Sequence, residues 1–383
     1  MMVHTKYGIY EFRIQETGTL YIMVIVHCAE TIKGGIASYL RDLVPSQTSQ
    51  SPIDQVLVII PESQKSELPT DWAAKTIYYT DRYSRLVNSF FLVKRTLESI
   101  PHRGDVILHC HSTFAGAIVR PILRIMRPRI KQVYCSHGWA WERDTKELNK
   151  CLIRFLEKCG SLFCDFIVCI SRHDLKEALS VHMPYHKLKL VLNGISMSTP
   201  DAVPARLDCS PRLLRLLFVG RLDRQKGVDV FCAALDMLED VAVGSIVGAS
   251  VVESDPLLQT PPNVSFTGWV SPEEVQGWLE WADALVIPSR WEGFGLVALE
   301  AMRTKVAVIA SSVGGLTEIV VDEKTGYLVP PGDAESIAIR VKLLDRQTLL
   351  QLGEAGYQRF LTFFTIDRVA NQILDIYQEV MKV

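Results

Sequence analysis

The 383-residue chain has almost no net charge, no Cys-x-x-Cys pair, no Asp-x-Asp run and no low-complexity segment or short repeat. It also lacks an apolar stretch of the roughly 20 residues that a bilayer-spanning helix needs. The longest early apolar run, Leu20 to Val26, falls short, and Glu11 and Glu16 upstream make it a poor secretory signal. The nine cysteines (28, 110, 135, 151, 159, 164, 169, 209 and 232) are odd in number and sit mostly in apolar surroundings, as in Phe166-Ile167-Val168-Cys169-Ile170. Buried thiols in a reducing compartment fit that pattern, so the expected location is the cytoplasm, without a transmembrane anchor. With 23 Gly and 18 Pro dispersed through the sequence, collagen-like, coiled-coil and disordered classes are disfavoured.

What is present is globular composition, 48% hydrophobic and 22% charged, in a chain long enough for two or three domains at about 150 residues each. The net charge of −2 hides an asymmetry. Residues 1–200 carry 25 Lys and Arg against 18 Asp and Glu, whereas residues 201–383 carry 16 against 25. The basic half suits nucleic acid, an anionic membrane surface or phosphorylated substrates, and charge alone does not choose.

Apolar runs of five to eight residues alternate with segments of helical period: Leu20–His27, Gln55–Ile60, Asp105–His109, Gln132–Ser136, Asp165–Ile170 and Lys189–Leu192. Such continuous runs predict parallel strands buried on both faces and covered by helices. One covering helix is predicted over Ser84–Ile100, with Leu86, Phe90, Val93, Leu97 and Ile100 on its inner stripe. The rhythm breaks after Asn193-Gly194 and restarts with Leu213–Val219, Val241–Val247, Val264–Thr267, Ala284–Pro288 and Val306–Ala310. The expected organisation is a weakly patterned lead-in (1–19), a first Rossmann-like domain (20–195), a linker (196–212), a second Rossmann-like domain (213–365) and a C-terminal helix (366–383). The docking place of that helix is not legible. The two domains are expected to be doubly wound α/β sheets facing each other across a cleft.

In such sheets ligands bind beyond the carboxyl ends of the strands. Gly34-Gly35 follows the first strand and opens a helix, which suits an anion at the helix N-terminus or simply a tight turn. A dinucleotide fingerprint needs a third glycine and an acid closing the second strand; the glycine is missing and Asp54 lies at the wrong end of its strand, which disfavours a dehydrogenase. His109 is expected to pack in the core. His111 and His137, the latter followed by Gly138, end strands at the cleft and are expected to touch ligand. Without a Glu-x-x-His pair or cysteine cluster, no metal site is predicted. In the second half Gly220-Arg221 closes a strand and Lys226-Gly227 opens the next helix, a candidate diphosphate clamp. Farther on stands Glu292-Gly293-Phe294-Gly295-Leu296-Val297-Ala298-Leu299-Glu300. Its glycines free N–H groups at a helix start, and its two carboxylates can accept hydrogen bonds from vicinal hydroxyls.

The Glu292-to-Glu300 segment resembles the E-x7-E motif of family 4 glycosyltransferases, retaining enzymes of GT-B architecture. Gly34-Gly35, His137-Gly138, Asn193-Gly194-Ile195, Gly220-Arg221, Lys226-Gly227, Gly314-Gly315-Leu316-Thr317-Glu318, Thr325-Gly326 and Pro331-Gly332-Asp333 stand in that family's order. The resemblance covers nearly everything from Leu20 onward and is densest in residues 213–333. One departure is Ser196 after Asn193-Gly194-Ile195, where many relatives carry an acid. The resemblance implies that Arg221 and Lys226 bind the donor diphosphate, with Gly220 beside them, and that Glu300 binds the ribose hydroxyls. It implies that Glu292 and the backbone of Gly293, Phe294, Gly295 and Leu296 hold the sugar, that His137 touches the sugar near the reacting centre, and that Gly34 and Gly35 border the acceptor and phosphate region.

The expected activity is transfer of a sugar from a nucleoside-diphosphate sugar to a glycan or lipid-linked acceptor, with no metal or other cofactor and no nucleic acid partner. A GT-B epimerase or phosphorylase, or a catalytically silent sugar-nucleotide-binding subunit of a glycan assembly complex, are the alternatives. The segment Arg120 to Lys131 holds five cations and no acid among apolar residues. With Phe90-Phe91 beside Lys94-Arg95, it predicts peripheral docking on the inner face of the cytoplasmic membrane.

Overall fold

Aliphatic runs buried on both sides build two parallel sheets. In the computed structural model the described residues are 2–5, 8–11, 23–101, 104–142, 145–203, 205, 210, 212–249 and 260–382. The start of the predicted first strand (20–22), part of the lead-in (12–19), linker positions 204, 206–209 and 211, and with them Cys209, lie outside these. The lead-in nevertheless contains structure: β1 (Met2–Thr5) and β2 (Gly8–Glu11) form an antiparallel hairpin.

The first domain is a seven-stranded parallel sheet of β3 (Met23–Ala29), β4 (Ile53–Pro61), β5 (Lys75–Tyr79), β6 (Asp105–His111), β7 (Lys131–Cys135), β8 (Phe166–Cys169) and β9 (Leu188–Leu190), in the order β5-β4-β3-β6-β7-β8-β9. Its helices are α1 (Gly35–Thr48), α2 (Arg85–Ser99), α3 (Thr113–Met126), α4 (Glu147–Gly160) and α5 (Arg172–Ser180). The second domain has six parallel strands, β10 (Leu214–Val219), β11 (Ala242–Val247), β12 (Val264–Gly268), β13 (Ala284–Ile287), β14 (Ala307–Ser311) and β15 (Gly326–Val329), ordered β12-β11-β10-β13-β14-β15. Around them lie α6 (Val228–Asp236), α7 (Pro272–Trp281), α8 (Leu296–Arg303), α9 (Leu316–Ile319), α10 (Ala334–Lys342) and α11 (Arg346–Phe363). Both are doubly wound, with strand order reversing between β3 and β6 and between β10 and β13. Those two points are where such sheets hold ligands.

The chain passes between domains twice at one place. Ile195 N–H donates to Phe364 O (3.0 Å) and Ile366 N–H to Ile195 O (2.8 Å), and a side chain on Gly194 would begin 2.5 Å from the Phe364 carbonyl. Past this crossing, α12 (Ile366–Lys382) returns to the first domain and packs on α1. Its stripe of Val369, Ile373, Ile376, Tyr377 and Val380 is buried there. Polar bonds flank it, from Ser46 to Asp367, Gln50 to Asn371 and Lys189 to Glu379.

Two sequence expectations about faces need correction. On α2 the inner side is Ser89, Leu92, Val93 and Thr96, while Leu86 and Phe90 face outward, 74% and 64% exposed. Arg120 is no surface cation. It is buried, with its guanidinium 2.9 Å from Glu157 and over the Tyr134 ring, and Tyr134 OH donates to the same carboxylate at 2.7 Å. Arg124 also turns inward, paired with Asp165 at 2.9 Å.

Candidate active site

The second domain contributes cations and backbone N–H groups. Just past β10, Arg221 pairs with Asp223 (2.9 Å) and Gln225 (2.9 Å), and its side chain remains 47% exposed. Lys226 Nζ reaches across to Glu292 Oε2 at 2.5 Å, and that oxygen also accepts from Ser289 Oγ at 3.3 Å. The two residues come from loops after β10 and β13, the two strands at the point where the order reverses. The predicted phosphate and sugar ligands are thus one bonded pair.

Gly295 takes a left-handed conformation (φ 100°) as the N-cap of α8, which frees the first N–H groups of that helix. The loop before it is braced by Gly314, where a side chain would begin 1.8 Å from the Glu292 carbonyl. Phe294 is buried with its ring against Phe364, so only its backbone faces the loop. Glu300, about one turn beyond Leu296, is half-buried. Burial pushes its carboxyl upward and Asp42 of α1 adds to this, while Arg303 and Arg41 oppose it.

The first domain supplies the opposite wall. His137 has a left-handed backbone (φ 57°), followed by Gly138 (φ 99°). A side chain on Gly138 would begin 3.3 Å from the Gly293 Cα, so the two loops touch. Gly34 and Gly35 are exposed at the start of α1, and Gly35 faces Leu296 across the same gap, 3.8 Å from its would-be side chain. The domains are also joined by Glu318, whose carboxylate accepts from the N–H groups of Arg172 (2.9 Å) and His173 (2.8 Å) at the start of α5.

The structure brings together His137, Gly138, Glu292, Gly293, Lys226, Gly295 and Leu296, with Gly34 and Gly35 at the edge, Gly220 and Arg221 in the loop that leads to Lys226, and Glu300 within α8. His111 does not join them: it is fully buried behind His137, its Nδ1 2.8 Å from His137 Nε2, so it cannot touch a ligand in the cleft. The strand β6 runs through His111, which places His109 and His111 on one side, beside His27 of β3. His27 carries no motif of its own in the sequence, although it too stands near the carboxyl end of a strand.

All four imidazoles are held neutral. Burial lowers His27 to about 4 and His137 to about 3, and drives His109 and His111 well below the usual range. Among the described residues, His27, His109 and His111 form the one group of His, Cys, Asp and Glu close enough to hold a metal ion, and it lies in the core behind the cleft.

This arrangement matches known proteins along most of its length. Residues 33–199 match Glycosyltransferase Family 4 and residues 214–345 match Glycosyl transferases group 1. An uncharacterized 41.2 kDa protein in the cps region of Klebsiella pneumoniae is 33% identical over 85% of this chain and 90% of its own. The alpha-maltose-1-phosphate synthase of Mycobacterium tuberculosis is 30% identical over 72% of this chain and 79% of its own. Among solved structures, Anabaena HepE in complex with UDP-glucose superposes with a TM-score of 0.75 over 94% of this chain and all of its own, at 16% identity. The chain belongs to glycosyltransferase family 4, with the GT-B fold, and is a glycosyltransferase.

Proposed function

We propose that the protein transfers a sugar from a nucleoside-diphosphate sugar to a glycan or lipid-linked acceptor with retention of anomeric configuration, in polysaccharide or glycoconjugate synthesis. The observation that carries this reading is the Lys226–Glu292 pair at the strand reversal, facing His137-Gly138 across Gly293. A donor laid there meets Arg221, Lys226 and the α8 N-terminus at its diphosphate, Glu300 at its ribose, and Glu292 with His137 at its sugar. The bond between the anomeric carbon and the phosphate oxygen breaks, and negative charge grows on the departing diphosphate where cations and helix N–H groups stabilise it. The acceptor oxygen bonds to the same face of the sugar, and its proton passes to the leaving phosphate oxygen.

No metal is assigned to this reaction. The carboxylates nearest the phosphate side, Glu292 and Asp223, are engaged by Lys226 and Arg221. Incubation with a panel of nucleotide sugars tests the reading. A true donor at 100 times its dissociation constant stabilises the fold by about 2.7 kcal/mol. Transfer of its label, with NMR showing the donor's own anomeric configuration in the product, is the expected result and should survive a chelator. Loss of transfer on chelation, restored by a divalent cation, would refute the metal-free assignment.

We also assign an anionic membrane surface as partner, through a patch that keeps Phe90, Lys94, Arg95 and Arg129 of the one the sequence suggests but not Arg120 and Arg124, which turn inward. The helices α2, α3 and α4 lie side by side, and their outer sides carry Leu86, Phe90, Ile125, Met126, Leu148, Leu152 and Phe155 in the open. The same helices and their flanks also expose Lys94, Arg95, Arg129, Lys146 and Lys158, of which Lys94 and Arg95 pair with Glu98. Exposed apolar side chains on cation-bearing helices suit an anionic lipid face. No helix among the described residues is long and apolar enough to cross a membrane.

A further inference from the structure

Behind His137 a line of hydrogen-bonded side chains runs through the core to the C-terminal helix. His137 Nε2 lies 2.8 Å from His111 Nδ1, His111 Nε2 lies 2.8 Å from His27 Nδ1, and His27 Nε2 lies 2.8 Å from Gln47 Oε1. The Gln47 amide nitrogen reaches Tyr377 OH at 3.3 Å, and that hydroxyl lies 2.7 Å from His109 Nδ1. His27, Gln47, His109, His111 and Tyr377 are all fully buried. So much polar chemistry in a core needs a reason beyond packing, because each group must be satisfied there.

A neutral imidazole has one donor nitrogen and one acceptor nitrogen, so a line of them has a direction. Gln47 sets it. Its carbonyl oxygen only accepts, which puts the hydrogen on His27 Nε2 and leaves His27 Nδ1 to accept from His111 Nε2–H. His111 Nδ1 then accepts from His137 Nε2–H. In this arrangement the Gln47 amide donates to the Tyr377 hydroxyl, which bonds in turn to His109 Nδ1, while His109 Nε2 is buried without a partner among the described residues. What is left at the cleft end is His137 Nδ1, a lone pair without a partner among the described residues. Protonating any ring in the line would turn both of its nitrogens into donors and break the sequence, and burial disfavours that charge.

We propose that Gln47, His27 and His111 are positioning residues that hold His137 as the Nε2–H tautomer, so that its Nδ1 lone pair stands as a fixed acceptor for a hydroxyl of the transferred sugar. This rests on the placement of His137 at the sugar in the proposed function. The line also ties a cleft side chain to α12, which gives the returning C-terminal helix a part in site geometry through Tyr377. The same three imidazoles, His27, His109 and His111, are close enough for a metal, but the facing nitrogens of His27 and His111 are already bonded to each other.

The full-length protein labelled with 15N-histidine tests this without any assay of transfer. Long-range 1H–15N correlation spectra, assigned with a His137→Gln variant, should show a protonated, pyrrole-like Nε2 and a bare, pyridine-like Nδ1 on His137. His111→Gln keeps one acceptor and one donor in the line and should preserve that pattern; Gln47→Leu and His111→Phe should give a mixture of tautomers. Calorimetry with UDP and UDP-glucose as probes supplies the functional side, and the UDP affinity of each variant confirms its fold. In His111→Phe the extra affinity of UDP-glucose over UDP should fall at least fivefold, while UDP binding changes less than twofold and His111→Gln restores the difference. A wild-type His137 with the opposite tautomer, a pattern unchanged in both Gln47→Leu and His111→Phe, or stoichiometric metal lost in His27→Gln would overturn the relay. Wild-type protein that binds UDP-glucose no tighter than UDP would overturn only the sugar half, whatever the spectra show.

Discussion

Lys226 and Glu292 share one short ion pair, so substitution of either leaves a charge behind as well as removing one. Lys226→Ala removes the cation paired with Glu292 and assigned to the donor diphosphate, and its loss should lower kcat by about a hundredfold or more, the scale of losing one preorganised charge stabiliser. Arg221 is more open and shares its charge with Asp223, so Arg221→Ala should cost less, although again more in kcat than in donor affinity. Wild-type turnover in either variant would remove the clamp. Glu300→Ala should instead weaken donor and free nucleoside diphosphate by the same factor, because its assigned partner is the ribose; isothermal titration with both ligands checks it. Arg221, Lys226 and Glu292 were legible in the sequence because each stands beside a glycine near a strand end or a helix start, and Glu300 because of its spacing from Glu292. His27 and Gln47 were not, since their partners sit 84 and 330 positions away and only strand register and the return of α12 bring them together.

At the scale of elements, continuous aliphatic runs announced most strands. The edge strands β5 (Lys-Thr-Ile-Tyr-Tyr) and β15 (Gly-Tyr-Leu-Val) were not legible, because polar or glycine positions break their apolar runs. The Arg120–Glu157–Tyr134 cluster was equally hidden, because nothing in a basic stretch marks which arginine turns inward. Removing Arg120 strands a buried carboxylate, a loss of about 3–5 kcal/mol for a broken buried pair, so substitutions there report on folding rather than on surface charge. The paired ends of β3 and β6 carry a pH signature of their own. Buried His27 binds fewer protons folded than unfolded between pH 6.5 and about 4, so the stability it lends is complete above 6.5 and drains away as pH falls through that window. At pH 5 that loss is roughly 2 kcal/mol for His27, and His109, His111 and His137 act in the same direction. Asp174, pushed up to about 7 chiefly by burial, opposes them, as do Glu300 and Asp42, whose carboxyls burial also raises. Urea unfolding midpoints should therefore fall steadily from pH 7 to 5, and a His27→Gln variant should show a shallower decline; parallel curves would reject this account.

For the whole molecule, the surplus of cations in residues 1–200 and of acids in residues 201–383 gives the first domain an electrostatic face that the second lacks. A lipid-linked acceptor would reach a cleft between the domains from the surface where its carrier is held. The first domain offers a surface for that, since α2, α3 and α4 leave Phe90, Leu152 and Phe155 uncovered amid cations. Each Lys or Arg near an anionic surface contributes about 1 kcal/mol, falling within a Debye length. Binding should thus be salt-sensitive, with an apolar part that salt does not remove. Vesicle co-sedimentation separates the two contributions. Wild type should bind vesicles containing anionic lipid and release partly at high salt. A Lys94, Arg95, Lys146 and Lys158 to Ser variant should lose the salt-sensitive part, and a Leu86, Phe90, Leu152 and Phe155 to Ser variant the remainder. All eight side chains point outward, so both variants should keep the wild-type melting temperature within a few degrees. Undiminished binding by both variants would move the membrane contact to another face, and no binding by the wild type would overturn the membrane assignment.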